Sequence, residues 1–404
     1  MPAFTVGTDV DFLQGFLTGR RGNAAMFVEQ TRWSSATGWV VSRAPRQGAS
    51  AHVVLFFGAQ EAIESSQAPE VLRAAHPLAR IVGCSTAGEI SETNVYDGSV
   101  VATAIHFEHT VVRAACQPLG SAEDSRAAGE RIAGDLASDD LVHVFVLAEG
   151  LKVNGSDLVA GLRHGLPTGV AVTGGLAADG ALFEKTSVYC DGEPDGGKVA
   201  AVGFYGDRLK IGYGSMGGWD TFGPERLVTR AEGNVLYELD GSSALELYKK
   251  YLGSHAADLP ASGLLFPLSL RGESGDQRVV RTILGIDEAA GSLVFAGDIP
   301  QGGYARLMKA NVDRLIDGAS GAATSCHVPL ASSLPSLGIL ISCVGRKLVL
   351  KQRTEEEVES VRAVLGDEAV LSGFYSYGEI APFASSTRCE LHNQTMTITT
   401  FTED

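Results

Sequence analysis

Two eight-residue segments, GCSTAGEI at 83–90 and GFYSYGEI at 373–380, share the pattern GxxxxGEI, with a hydroxyl residue, Thr86 or Ser376, at the same place. Their glycines let backbone amides approach a guest, the hydroxyls of Ser85, Thr86, Tyr375, Ser376 and Tyr377 donate or accept, and Glu89 and Glu379 accept. With Cys84, Gly88 and Gly378 they make a candidate grip for an amine or an amino acid. The same residues also suit a purely structural role, in which the glycines permit tight turns and each Glu caps a helix or pairs with an arginine. Their repetition near both ends of the chain sets the two roles level.

Other chemistries fit less well. The loops begin like a phosphate-binding GxxxxGK[ST] loop, but Glu89 and Glu379 stand where lysine is needed, and a carboxylate opposes phosphate. GYGSMG at 212–217 matches GxGxxG, yet Gly218, Trp219 and Asp220 follow, so no helix N-terminus is available for a pyrophosphate. Cys84 lies where a strand turns into a loop, a position suited to a nucleophile, but no base can be assigned and the second loop carries Phe374 there. There is no GxSxG elbow and no HExxH motif, and the nine histidines do not pair at helical i, i+4 spacing. The expectation is a protein that is not an enzyme, with an enzyme using Cys84 as the alternative.

The elements that must position these loops are strands and crossover helices. Gly58 precedes Gly83 by 25 residues and Gly345 precedes Gly373 by 28, about the span of a βαβ unit, which places both loops at carboxyl ends of parallel strands. LVHVFVLAEG at 141–150 and GVAVTGGLAADG at 169–180 read as a third use of this unit, Gly150 and Gly174 being 24 apart. SVVATAIHF and TVVRAACQPL read as a strand pair. Leu307, Met308, Val312, Leu315, Ile316 and Ala319 read as one face of a helix. Thr354 with Glu355 to Glu357 reads as a capping box without functional weight, and Asn154 or Ser156 as a turn or helix cap.

The 404 residues exceed the usual size of one core, so two domains are expected, divided after the Gly- and aromatic-rich stretch 212–224. Residues 1–50 read as an irregular lead-in, 51–225 as the N-terminal domain and 226–404 as the C-terminal domain. The fold class is α/β to α+β, with two related mixed-sheet sub-domains and flanking helices. A formal charge of −16 disfavours nucleic acid. No apolar run is long enough to span a membrane, and six scattered cysteines without CxxC suit a reducing compartment. A soluble, cytoplasmic protein is expected.

GCSTAGEI, VNGSDLVAGL (153–162), TGGLAADG (173–180), GGWDTFGP (217–224), SCVGR (342–346), GFYSYGEIAP (373–382) and LHNQTMTI (391–398), in this order, resemble FIST-domain proteins with their N- and C-terminal parts. The resemblance covers nearly everything from about residue 51 onward. It implies a sensory module of signal transduction that binds a small ligand such as an amino acid, and it adds Arg346, His392 and Asn393 to the candidate ligand-binding residues. Without a kinase, cyclase or F-box segment, the chain reads as a stand-alone sensor acting on a separate partner such as a histidine kinase. The resemblance also extends to nitric-oxide-sensing haemoproteins. On that alternative the cofactor is haem b, and His392 is the candidate iron ligand, with His143 and His164 as weaker ones. His392 and Asn393 could equally pin the C-terminal strand to the second loop.

Overall fold

The computed structural model describes residues 25–44, 50–192, 197–272, 278–327, 335–382 and 389–404. Residues 26–43, expected within an irregular lead-in, form the antiparallel strands β1 (Met26–Ser34) and β2 (Gly38–Arg43). The first repeat unit then runs through β3 (Val53–Gly58), α1 (Gln60–Ser66), α2 (Ala68–Ala75), β4 (Arg80–Ser85), β5 (Glu89–Ser91), β6 (Asn94–Tyr96), β7 (Ser99–Phe107) and β8 (Val111–Pro118). The second comprises α3 (Ser125–Leu136), β9 (Leu141–Ala148), α4 (Gly155–Gly165), β10 (Ala171–Leu176), β11 (Val188–Cys190), β12 (Lys198–Tyr205) and β13 (Leu209–Met216).

An inserted antiparallel sheet follows. It contains β14 (Trp219–Thr221), β15 (Arg226–Glu232), β16 (Val235–Leu239), β17 (Ser242–Ser243), α5 (Ala244–Leu252), β18 (Leu268–Arg271), β19 (Arg278–Arg281), β20 (Ile283–Asp287), β21 (Ser292–Phe295) and β22 (Tyr304–Ala310). The third repeat unit closes the chain with α6 (Val312–His327), β23 (Leu337–Cys343), α7 (Val344–Leu350), α8 (Thr354–Leu365), β24 (Val370–Ser376), β25 (Glu379–Pro382), β26 (Cys389–His392) and β27 (Met396–Glu403).

The α+β class expected from the sequence holds, and the unit that shows itself twice as a GEI loop is used three times. The parallel pairs are β3–β4, β9–β10 and β23–β24. Within them Gly83, Gly174 and Gly373 stand opposite Phe56, Val146 and Leu340, where a Cβ would overlap the neighbouring strand's carbonyl oxygen. That close approach explains the glycine at each position. The units also exchange strands in a cycle: β5 pairs with β24, β25 with β10 and β11 with β4.

A ring of six backbone hydrogen bonds closes where the three units meet. Ser85 N donates to Ser187 O, Leu176 N to Gly378 O and Tyr375 N to Gly88 O, at 2.8–2.9 Å. Ala178 N donates to Ser85 O, Tyr377 N to Leu176 O and Ala87 N to Tyr375 O, at 2.9–3.4 Å. The second unit departs from the other two only in carrying an extended loop, 179–186, at this point.

Strand periodicity divides the apolar residues between two sides. Val53, Leu55 and Phe57 of β3, Phe145 and Leu147 of β9, and Leu337, Ile339 and Ile341 of β23 share one central core, where the rings of Phe57 and Phe374 lie 4.6 Å apart. The opposite faces pack under helices: Val54 and Phe56 under α1 and α2, and Val144, Val146 and Leu340 in the cluster with α3, α4, α6 and α8. The inserted sheet buries its own cluster around Leu236, Leu268 and Phe295.

Three local expectations change. β7 lies between β3 and β1, while β8 pairs with β12, so the two do not pair with each other. Leu307 and Met308 belong to β22, because Asn311 Oδ1 accepts from Arg314 N and starts the helix after them. The division expected after residue 225 falls between β14 and β15, both of which pair with β22.

Candidate functional site

The two GEI loops build the same device. Thr86 Oγ1 donates to Glu89 Oε1 at 2.6 Å, and Ser376 Oγ donates to Glu379 Oε1 at 2.7 Å. The second oxygen of Glu89 accepts from the amide (3.1 Å) and hydroxyl (2.6 Å) of Ser99, and that of Glu379 from the amide (3.1 Å) and hydroxyl (3.0 Å) of Thr395. Both carboxyls are fully buried. Burial pushes Glu89 up to about 7 against the bonds from Ser99 and Thr86, and pushes Glu379 up to about 8 against those from Ser376 and Thr395.

The loops differ in what lies beside them. A cavity of about 420 Å³ opens at the first, lined by Thr86, Gly88 and Glu89 on one side and by Trp33, Ala59, Glu61, Asp97, Asp179 and Leu182 on the others. The elements that shape it are the end of β1, the start of α1, the turn before β7 and the extended loop 179–186. Among the described residues four carboxylates line it and no cationic side chain does. Lys347 stands just behind, donating to Ala87 O at 2.8 Å and pairing with Asp97. Asp179 is engaged by the amides of Phe183, Glu184 and Lys185 at 2.8–3.0 Å and by the hydroxyl of Tyr377. Glu61 remains exposed at the rim.

No residue of 373–380 lines this cavity. The two loops lie side by side, since Tyr375 exchanges backbone bonds with Ala87 and Gly88, but they do not share the cleft. Gln394 packs against Gly345 beside the second loop. Tyr375 donates to Glu357 at 2.6 Å, and Gly378 accepts from Leu176 N. Ser85 Oγ accepts from Ser187 N at 3.0 Å.

Cys84 points into the central core at zero exposure, and burial drives its thiol well above the usual range. A thiolate is therefore disfavoured at this position. Arg346 does not reach the cavity either: it pairs with Glu357 at 2.8 Å and donates to Gly217 O and Leu315 O. The expected capping box at Thr354 is absent as such, for Thr354 donates to Lys351 O and Glu357 is drawn inward by Arg346, Ser342 and Tyr375. Asn154 caps α4 as expected, its Oδ1 accepting from Ser156 N and Asp157 N.

Haem needs an axial ligand facing an apolar slot. His392 Nε2 is 3.0 Å from the carbonyl of Ala381, its ring is buried, and burial lowers its pKa to about 4. It lines none of the cavities described above or below. His143 bonds to Thr173 at 2.9 Å between the rings of Phe204 and Phe401, and His164 lies on the surface beside Glu130. These donors do not fit a haem iron site. His392 instead holds β26 to β25, and Asn393 bonds to Tyr377 O and Thr282 N, so this pair pins the chain end to the second loop.

Sequence reasoning missed Glu357, Lys347, Ser99 and Thr395, and also Trp33, Glu61, Asp97 and Asp179. Ser99 and Thr395 follow their glutamates by 10 and 16 residues, a difference that hides the shared role. The cavity-lining residues come from five separate segments and carry no common spacing.

These features define an α+β domain with a guest-sized cleft at its repeated loop. The chain belongs to the FIST family: the FIST N domain matches residues 52–242 and the FIST C domain residues 244–382. FIST domains are sensory domains that bind small ligands in signalling proteins. The chain is also similar to the uncharacterized protein MJ1623 of Methanocaldococcus jannaschii, at 24% identity over 266 residues. That match covers 59% of this chain and 50% of the archaeal protein, so the chain spans about half the length of the relative it matches.

Proposed function

We propose that this chain is a sensor that takes a small amine-bearing ligand into the cavity at the first GEI loop. The observation that carries the reading is the cavity itself, of about 420 Å³, walled by Glu61, Glu89, Asp97 and Asp179 with no cationic side chain among the described residues of its lining. An ammonium group is attracted by such a wall, and the indole of Trp33 adds an aromatic surface for a cation or an apolar tail. Both a simple amine and an amino acid satisfy this, the latter placing its carboxylate toward Lys347.

Occupancy reaches the rest of the molecule through a contiguous set of contacts. Gly88 and Ala87 hold Tyr375, Tyr375 holds Glu357, and Glu357 holds Arg346, which bonds to Gly217 and Leu315 where the inserted sheet joins the repeats. A ligand that favours one arrangement of this set changes the surface offered to a signalling partner, a histidine kinase being the class the resemblance favours. The six cysteines are all unpaired, which supports a cytoplasmic setting.

Thermal unfolding of the whole chain with amino acids and simple amines tests the reading. A ligand at 100 times its dissociation constant stabilises by about 2.7 kcal/mol. A saturable shift with an amine, absent for the isosteric alcohol, supports the reading, and equal shifts for both overturn it.

A further inference from the structure

Arg281, at the end of β19, is only 4% exposed, yet every acceptor it meets is neutral. Its Nε donates to Asp298 O at 3.3 Å, Nη1 to Leu391 O at 2.9 Å and Val280 O at 3.3 Å, and Nη2 to Ser156 Oγ at 3.3 Å. A guanidinium carries five N–H donors, so one on Nη2 is left over. The other deeply buried arginine, Arg346, is neutralised by Glu357 at 2.8 Å with both side chains at zero exposure. Among the described residues no carboxylate forms such an ion pair with Arg281.

The acids nearest to Arg281 are committed elsewhere. Asp298 Oδ1 accepts from Asn154 Nδ2 at 2.7 Å, and Glu390 faces Arg163 at 3.6 Å. Burial accordingly lowers the Arg281 pKa to about 10. The charges of Asp298 and Glu390 offset this burial only in part, and an anion brought into direct contact by a guest offsets it further. Arg281 lines a cleft of about 640 Å³, in which Ala160 of α4 faces Val279, Ile299 and Pro300 of the inserted sheet. Arg163, Asp298 and Glu390 line it as well, and since Glu390 faces Arg163 and Asp298 is held by Asn154, Arg281 is the cation there without a carboxylate in direct contact, beside the aliphatic wall.

We propose that this cleft is a second ligand site, for a small carboxylate with a short aliphatic tail, held by Arg281 between the repeat units and the inserted sheet. The carboxylate accepts the free Nη2–H and pairs with the guanidinium, a charge-assisted bond. The tail lies between Ala160 and Ile299. Because α4 belongs to the second repeat and β19 to the inserted sheet, the guest fastens the two together. The site is independent of the amine-binding cavity, which lies at a different set of elements.

Isovalerate serves as the probe, with calorimetric titration and thermal unfolding of the full chain at constant ionic strength. Saturable binding is expected for isovalerate and not for isovaleramide, which has the same tail without the charge. Arg281→Met should weaken binding by on the order of tenfold or more, the factor for one lost hydrogen bond to a charged group. Should that variant fail to fold, Ala160→Phe fills the apolar side of the cleft without removing Arg281 and should weaken binding similarly. Absence of saturable binding to the wild type, equal binding of the amide, or wild-type affinity in Ala160→Phe overturns the proposal.

Discussion

Arg346 Nη2 and Glu357 Oε2 meet at 2.8 Å with neither side chain exposed to solvent. Glu357 also accepts from Tyr375 (2.6 Å) and Ser342 (3.1 Å), so this ion pair anchors α8 to the strand that leads into the second GEI loop. Arg346 in turn bonds the carbonyls of Gly217 and Leu315. The pair is therefore a junction between the third repeat and the start of the inserted sheet.

Removing one partner leaves the other charge buried and unpaired. Glu357→Leu should lower stability by about 3–5 kcal/mol. The double variant Arg346→Met/Glu357→Leu should lose less than the sum of the two single changes. Chemical denaturation of the three variants checks this, and additive losses would show that the two residues do not act as a unit.

Stability should fall with rising pH across the range where Glu89 and Glu379 ionise. Their folded pKa values, about 7 and about 8, lie above the ordinary 4.5, so the folded chain holds more protons than the unfolded chain between those limits. The stabilisation is complete below 4.5 and is lost as pH rises through 7 and 8, on the order of 3 kcal/mol for Glu89 and about 5 kcal/mol for Glu379 as upper bounds. Glu89→Gln should flatten the curve, since its amide can donate to Thr86 while its oxygen accepts from Ser99. Unfolding midpoints from pH 5 to 9 for the wild type and this variant supply the comparison.

An ammonium guest should draw the proton from Glu89, because a neighbouring cation favours the carboxylate. At pH 6 binding should therefore release protons, seen as a calorimetric heat that varies with the ionisation enthalpy of the buffer. Glu61→Lys should weaken the same amine by about tenfold at low salt, less as salt is raised. A buffer-independent heat would mean that Glu89 does not face the guest.

Gly373→Ala should cost about 3 kcal/mol or more, because the new methyl overlaps the carbonyl of Leu340 across a parallel pair. Gly134, which lies in α3 with open space around its Cα, is the control. There the same substitution should stabilise by about 0.5–1 kcal/mol. Denaturation midpoints of the two variants should move in opposite directions.

Thiol labelling should modify exposed Cys116 in the folded chain and reach Cys84 only on unfolding, as the burial of Cys84 requires. Labelling of native Cys84 at the rate of Cys116 would restore it as a nucleophile.

The βαβ units were legible from sequence because a buried strand and its crossover helix are encoded locally, in runs such as VVLFFG and in glycine at Gly58, Gly83, Gly345 and Gly373. Thr86, Glu89, Ser376 and Glu379 stood out as residues of the repeated loops for the same reason, but that each hydroxyl bonds the glutamate of its own loop was not read from the sequence. The roles of Leu307 and Met308 were not, since two apolar residues ahead of a helix fit its face as well as the end of a strand.

The sequence by itself determined the repeated unit, its family and the residues of the GEI loops, because these depend on neighbours within one segment. Only the tertiary structure decided which loop has a cleft. That outcome depends on strand exchange between units, on loop 179–186 of the second repeat reaching over the first, and on Gln394 packing beside the second loop. It also turned Arg346 and Glu357 from a candidate ligand contact and a member of a helix capping box into one buried pair. Contacts across 11 to 260 residues of chain, such as Arg346 to Glu357 and Lys347 to Ala87, leave no periodic mark in a sequence and exist only once the three units close around their shared core.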